Sequence, residues 1–281
     1  MKKKSLLVVC IIATVVISSI LFFFAFQSEK SSDLLEKISS YKGYTRVISE
    51  EEFDFYQYFV KRDLSNDVDE NDIREKVIAY ANEVNAVFYL GNKLGFCEPY
   101  SFETLKLRME QENIQRKISL EQGEVIYGLK EFTLQNYFQY IMDNLESDIK
   151  SYLETNADEG ILKMAKDYYQ THEEEFVYRK EVVYEQTLNG VTQTLTADVD
   201  AMSLLGKTDT AMADFLQMAE PGDCYEDNIE DIKRGIVLKE IVYSEKGYEK
   251  NAGMALYRMV SEELYDKVIK MVAVNNPVSF E

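Results

Sequence analysis

Tryptophan is absent from this 281-residue chain, histidine occurs once, and cysteine and proline occur three times each. Positive charge is also short: 31 Lys and Arg face 50 Asp and Glu, for a formal net charge of −19. Each shortage excludes something. A single histidine, His172, and the lack of any CxxC pair leave no zinc-type ligand set. Three prolines cannot make a Pro-rich linker. So negative a chain excludes nucleic acid, whose binding needs a basic field to displace phosphate counterions. Cys10 lies in an apolar N-terminal run. Cys97 and Cys224 either pair in an oxidising compartment or stay as two small unpaired hydrophobes, and sequence alone leaves both open.

What is present suits a folded body: 46% of residues are hydrophobic and 29% charged, with 20 Tyr and 15 Phe. Lys2, Lys3 and Lys4 precede an uncharged stretch over 5–26. About 20 apolar residues span a hydrocarbon core as a helix. The lysines keep the N-terminus in the cytoplasm, so a single-pass cell-membrane protein with an extracytoplasmic body is expected. The stretch ends in bulky residues (FFFAF, 22–26) without a small-residue cleavage pattern, and Val9 precedes Cys10 where a lipoprotein needs a small residue. A retained anchor is therefore expected over a cleaved signal or a lipid anchor.

Residues 27–43, rich in Ser, Lys and Glu, read as a stalk. Ser49 followed by Glu52 has capping-box spacing ahead of a helix with Phe53, Phe55, Tyr56, Tyr58 and Phe59. Asp69 caps the next, on which Ile73, Val77, Tyr80, Ala81, Val84, Val87 and Phe88 recur at helical spacing until Gly95 stops it. Further helices are predicted after Ser101 (with Leu105, Met109 and Ile118), over 133–153, and after Asp158. The period then changes to two. Phe176 to Leu188, Asn189-Gly190, and Val191 to Val199 read as a β-hairpin. A short helix near 210–219, a strand over 235–244 and a last helix over 252–273 complete the pattern.

Three stretches carry a resemblance: ISEEEFDFYQYF at 48–59; REKVIAYANEVNAVFYLGNKLGFCEPYSFETLKLRMEQENIQRK at 74–117; and VIYGLKEFTLQNYFQYIMDNLESDIKSYL at 125–153 with AKDYYQTHEEEF at 165–176. They resemble the exported foldases and chaperones of PrsA and SurA type, as does EELYDKVIKMVAV at 262–274. The resemblance implies a helical chaperone domain around a parvulin-type peptidyl-prolyl isomerase domain. The middle departs from the pattern. Only 177–249 is available, reading β-β-α-β, and the family's histidine pair and glycine-rich stretch are missing. The resemblance thus implies a reduced or lost isomerase. The expected fold is α+β, mainly α. It has an anchor or signal segment at 1–26, a stalk at 27–43 and a helical domain at 44–176. A small α/β module follows at 177–249, and a C-terminal helix packs back at 250–281.

Chemistry is thin. Cys224 with Asp223 and Asp227 is the densest cluster in the module, and without histidines it reads as an acidic turn around a buried thiol. His172 beside Glu173, Glu174 and Glu175 reads as a solvated helix-end side chain rather than a pH sensor. Asp54, Asp63, Asp67, Asp69 and Asp72 lack the glycine of a calcium loop. No cofactor, no metal and no catalytic residue are expected. Aromatic stripes are usually core. Yet Phe53, Tyr56 and Phe59, or Tyr137, Phe138 and Tyr140, could line a groove that holds unfolded chain, and these six are the candidate peptide-binding residues. The first expectation is a membrane-anchored, foldase-like chaperone that binds unfolded or secreted polypeptides without catalysis. The alternatives are a divergent active prolyl isomerase and a protein that docks one dedicated partner. Oligomeric state stays open.

Overall fold

The computed structural model describes residues 32–62, 69–229 and 232–280. The apolar stretch at 5–26, the start of the expected stalk, and Asp63 and Asp67 of the acidic set lie outside the described residues. The chain is α+β and mainly helical. It divides into two compact units: the described residues up to Ala165 together with Leu256–Phe280, and Lys166–Ala255. Among the described residues no helix is long and apolar enough to cross a membrane.

The first unit opens with α1 (Asp33–Ser39), inside the segment expected as a stalk. It is a packed helix: Leu34, Leu35 and Ile38 fall on one face and are buried. The strand β1 (Arg46–Ile48) follows, then α2 (Glu50–Arg62). Ser49 Oγ accepts the Glu52 N–H at 3.2 Å, so half of the expected capping box forms. The Glu52 carboxylate turns to Arg46 instead, at 2.9 and 2.7 Å. The 25-residue α3 (Glu70–Leu94) is capped by Asp69 and ended by Gly95 at φ 86°. It packs against α2 and against α5 (Leu134–Thr155). Between them lies α4 (Phe102–Glu121), begun by Ser101, as Thr133 begins α5. The helix α6 (Glu159–Thr171) starts at Asp158, which accepts the Ile161 N–H at 3.1 Å.

The predicted last helix is longer and not uniform. It comprises α9 (Tyr248–Met259), a single π turn (Val260–Leu264) and α10 (Tyr265–Asn275). In the π turn the Tyr265 N–H reaches back five residues to the Val260 carbonyl. Val260 and Leu264 are buried there, and α10 lies against α3, α1 and α5. A last strand, β6 (Val278–Phe280), pairs in parallel with β1, Arg46 opposite Val278 and Ile48 opposite Phe280. Three-residue strands carry no readable period, and this pair has no counterpart in the sequence reading.

The second unit holds an antiparallel sheet in the order β3-β2-β5-β4. Its strands are β2 (Arg179–Leu188), β3 (Val191–Asp198), β4 (Cys224–Ile229) and β5 (Ile232–Tyr243). Asn189 and Gly190, at φ 50° and 80°, make the predicted tight hairpin turn. Three corrections apply. Val199, expected at the end of a strand, begins α7 (Val199–Thr208), because the Asp198 carboxylate accepts the Ala201 N–H at 2.8 Å and caps a helix. Cys224, expected as a buried thiol in an acidic turn, is exposed at the start of β4. With α8 (Thr210–Met218) the module runs β-β-α-α-β-β, not β-β-α-β. Val182, Tyr184, Met202, Met212, Leu216, Ile236 and Leu238 form its own core.

Candidate peptide-binding surface

The six aromatic candidates divide. Tyr56, Phe59, Tyr137 and Phe138 are buried in the first unit. Phe55, which was not among the candidates, stands at the centre of their cluster, with ring centroids 5.3 Å from Phe59, 5.1 Å from Phe102 and 5.3 Å from Phe138. These four are core rather than groove: each ring is covered by its neighbours, and nothing is left for a client to touch. Phe53 is half-buried and Tyr140 exposed. Helical spacing alone reads the same for a core face and a docking face, and packing assigned most of this stripe to the core.

Under the cluster lies a polar knot. Arg46 forks onto Glu52, donates through Nε to Asn85 Oδ1 at 3.2 Å, and lies 4.8 Å from the centre of the Tyr100 ring. The Tyr56 hydroxyl donates to Glu52 Oε1 at 2.6 Å. Burial, then the phenol of Tyr100 and the Glu52 carboxylate, push the Tyr56 hydroxyl well above its ordinary pKa, so it remains a donor. This knot fixes β1 to α2 and α3.

The open apolar surface is elsewhere, on α4 and the loop behind it. Phe102 and Leu105 are the buried residues of α4, and that face meets α5. Leu107, Ile114 and Ile118 recur at i, i+7 and i+11, which puts them on one stripe on the far side from Phe102 and Leu105. All three are exposed, Leu107 by 57% and Ile114 by 61%. The loop over 122–133 adds Val125, Tyr127 (88% exposed) and Leu129. Its frame is fixed. The Asn113 side chain donates to the Phe132 carbonyl at 2.9 Å and accepts its N–H at 2.7 Å, like a strand neighbour. Arg116 donates to the carbonyls of Leu129 (2.6 Å) and Tyr127 (3.3 Å), with its guanidinium 4.6 Å from the Phe132 ring centre. Phe132 packs in turn on Tyr137 and Tyr140, each at 5.5 Å. Fully burying a large aliphatic side chain is worth about 1.5–3 kcal/mol, and for the half-covered Leu107, Ile114 and Ile118 about half of it is still available to a partner.

No family model matches the sequence, and no curated protein matches it. A solved structure does show likeness, from work describing PEB4 and Cj1289 of Campylobacter jejuni as two structurally related SurA-like chaperones. It is 13% identical, covers 79% of this chain and 89% of that chain, and has a TM-score of 0.33.

The second unit has one concavity of note, a hollow of about 340 Å³ on the open face of the sheet. Gly235 makes its floor bare, since a side chain there would meet nothing within 4 Å. Thr187, Cys224, Glu226 and Lys233 line it. Glu226 and Lys233 face each other at 2.9 Å, and the Cys224 thiol points to the Gly222 carbonyl at 3.6 Å. Cys97, half-buried in the first unit, has its thiol directed at the Phe88 carbonyl, and both cysteines are free. Burial pushes the Cys97 thiol up, so it is no activated nucleophile. His172 stacks on Tyr168 at 4.2 Å, and its Nδ1 lies 2.8 Å from the Tyr168 carbonyl, a helix-end role. No group of three or more His, Cys, Asp or Glu that could hold a metal occurs among the described residues.

Proposed function

We propose that this chain is a foldase-like chaperone, tethered to the membrane by its N-terminal apolar stretch, which holds unfolded exported polypeptides without catalysing a reaction on them. The observation that carries the reading is the stripe of Leu107, Ile114 and Ile118, exposed on the side of α4 away from its packing face. Exposed apolar side chains beside a rigidly bonded loop suit adaptable, low-specificity capture of chain that is itself apolar and extended. The sequence resemblance to PrsA- and SurA-type foldases over roughly 45–176 and 250–275 supports the same reading.

The test is suppression of aggregation of a chemically unfolded client by the purified chain. The intact chain is expected to suppress it. Ile114→Asp with Ile118→Asp is expected to lose most of that effect while changing stability by no more than about 1 kcal/mol, about 0.5 kcal/mol for each surface substitution. No suppression by the intact chain would sink the reading. A second reading, prolyl isomerisation, would have to use the hollow beside Cys224. A protease-coupled assay on a proline tetrapeptide decides it, and a rate equal to the uncatalysed one removes it.

A further inference from the structure

The strand β1 has a partner supplied by the chain itself, and the way that partner is held is uneven. At its start Asn276 is wholly buried. Its Oδ1 accepts the Tyr44 N–H at 3.0 Å, its Nδ2 donates to the carbonyls of Tyr41 (2.9 Å) and Val272 (3.0 Å), and its own carbonyl accepts from Asn85 Nδ2 at 2.9 Å. Those bonds fix the end of α10. Beyond Pro277 the grip weakens. Val278 and Phe280 are half-exposed, and Ser279 is exposed. Three residues pair with β1, the Val278 N–H donates to Asn82 Oδ1 at 2.8 Å, and Phe280 lays its ring edge-on to Phe53 at 5.3 Å. The Arg74 guanidinium lies 5.5 Å from the Phe53 ring centre and 5.7 Å from that of Phe280.

The start of β1 is held by contacts other than those of β6, since Arg46 is pinned by Glu52, Asn85 and Tyr100. A strand anchored at Arg46, one side-chain amide acceptor and an aromatic clamp make up the elements of strand-addition peptide recognition. We propose that the groove of β1, Asn82, Phe53 and Arg74 is a binding site for extended polypeptide bearing an aromatic residue, and that Val278–Phe280 occupies it in cis. Main-chain pairing supplies affinity, and the clamp selects Phe or Tyr two residues after an aliphatic one. The identity of the occupant as a client segment rests on the chaperone reading; the groove does not.

A fluorescein-labelled peptide with the sequence of residues 276–281 is titrated by anisotropy into the intact chain and into a chain ending at Asn276. A cis occupant competes at high effective concentration, so the shortened chain should bind at least about tenfold more tightly. Phe53→Ala in the shortened chain should weaken binding about fivefold. Should the shortened chain not fold, Phe280→Ala in the intact chain removes the clamp contact while leaving Asn276 locked, and it should gain peptide binding over the parent. A folded shortened chain that binds no better than the intact one, or binding indifferent to Phe53→Ala, overturns the proposal. So does a mass that doubles with concentration for the intact chain and not for the shortened one, which would give the groove to a second copy. No aggregation suppression by the intact chain, with peptide binding as expected, would be a failure of the chaperone reading alone, and no peptide binding by the folded shortened chain, with suppression by the intact chain retained, would be a failure of the groove alone.

Discussion

Glu52 and Arg234 show two ways of burying charge. Glu52 is 2% exposed and answers Arg46, Tyr56 and the Ser49–Glu52 turn at once. Glu52→Gln leaves the Arg46 guanidinium buried against a neutral amide, an uncompensated charge that typically costs about 3–5 kcal/mol. Urea denaturation should register that loss, and Arg46→Met added to it should recover part of it. Arg234 is paired with Asp227 and, at 2.5 Å, with Asp209, and it touches Met212 Sδ at 3.3 Å. The hydrogen bond from Arg234 holds the Asp209 carboxyl below the usual range, against burial, helped by the Met212 N–H it caps. A depressed carboxylate gives stability that is present above its unfolded pKa of about 3.9 and is lost as pH falls through the lower folded value. Acid should therefore weaken the second unit below about pH 4, and Asp209→Asn should be less stable at neutral pH but lose less on acidification. Denaturation midpoints from pH 7 to pH 2 check both. None of this was legible in the sequence, where Asp209, Asp227 and Arg234 are charges among many.

At the scale of elements, local signals were legible and distant ones were not. Asp69 and Asp158 cap the helices they were read to cap, Ser101 and Thr133 cap helices predicted to begin at those points, and Asn189-Gly190 turns the hairpin, because each of these is decided within four residues. The face a helix turns inward is decided elsewhere. Leu107, Ile114 and Ile118 on α4 have the spacing of a core stripe, yet the core took Phe102 and Leu105. The helix α1 was read as a stalk, and its docking depends on residues far along the chain. Ser32 Oγ and the Leu34 N–H both donate to Asp158 Oδ2, at 2.7 and 3.0 Å. Gly160 makes room for this approach, since a Cβ there would lie 2.9 Å from the Ser32 backbone. Gly160→Ala should cost about 1–3 kcal/mol and free the α1 amides to exchange. Gly91→Ala should cost less, because the atom it meets at 2.9 Å is the end of the Leu145 side chain, which can turn away. Hydrogen exchange over 34–40 and melting of the two variants separate these outcomes.

For the molecule as a whole, the division into two units has a thermodynamic reading. The core cluster of the second unit is made by described residues between Val182 and Ile241, all within Lys166–Ala255. A unit with a core of its own can open separately from the rest of the molecule. Denaturation followed by far-ultraviolet circular dichroism should resolve two transitions, one moved by Glu52→Gln and the other by Asp209→Asn. A single transition moved by both would show that the units fold as one. The sequence announced this division only through its change of period near Phe176. The parallel pairing of β1 with β6, from opposite ends of the chain, left no trace of that kind.

The π turn at Val260–Leu264 has a consequence for anyone lining up homologous sequences. It is one residue inserted into a continuous helix and absorbed without a break. A homologue with an uninterrupted α-helix would appear there as a one-residue gap in a region with no loop to excuse it. With the gap in place the apolar positions on both sides of it, Val268, Ile269 and Val272 among them, would align, whereas closing it turns the positions beyond it by about 100° around the axis. Forcing the alignment closed would match solvent-facing positions to buried ones along the whole of α10.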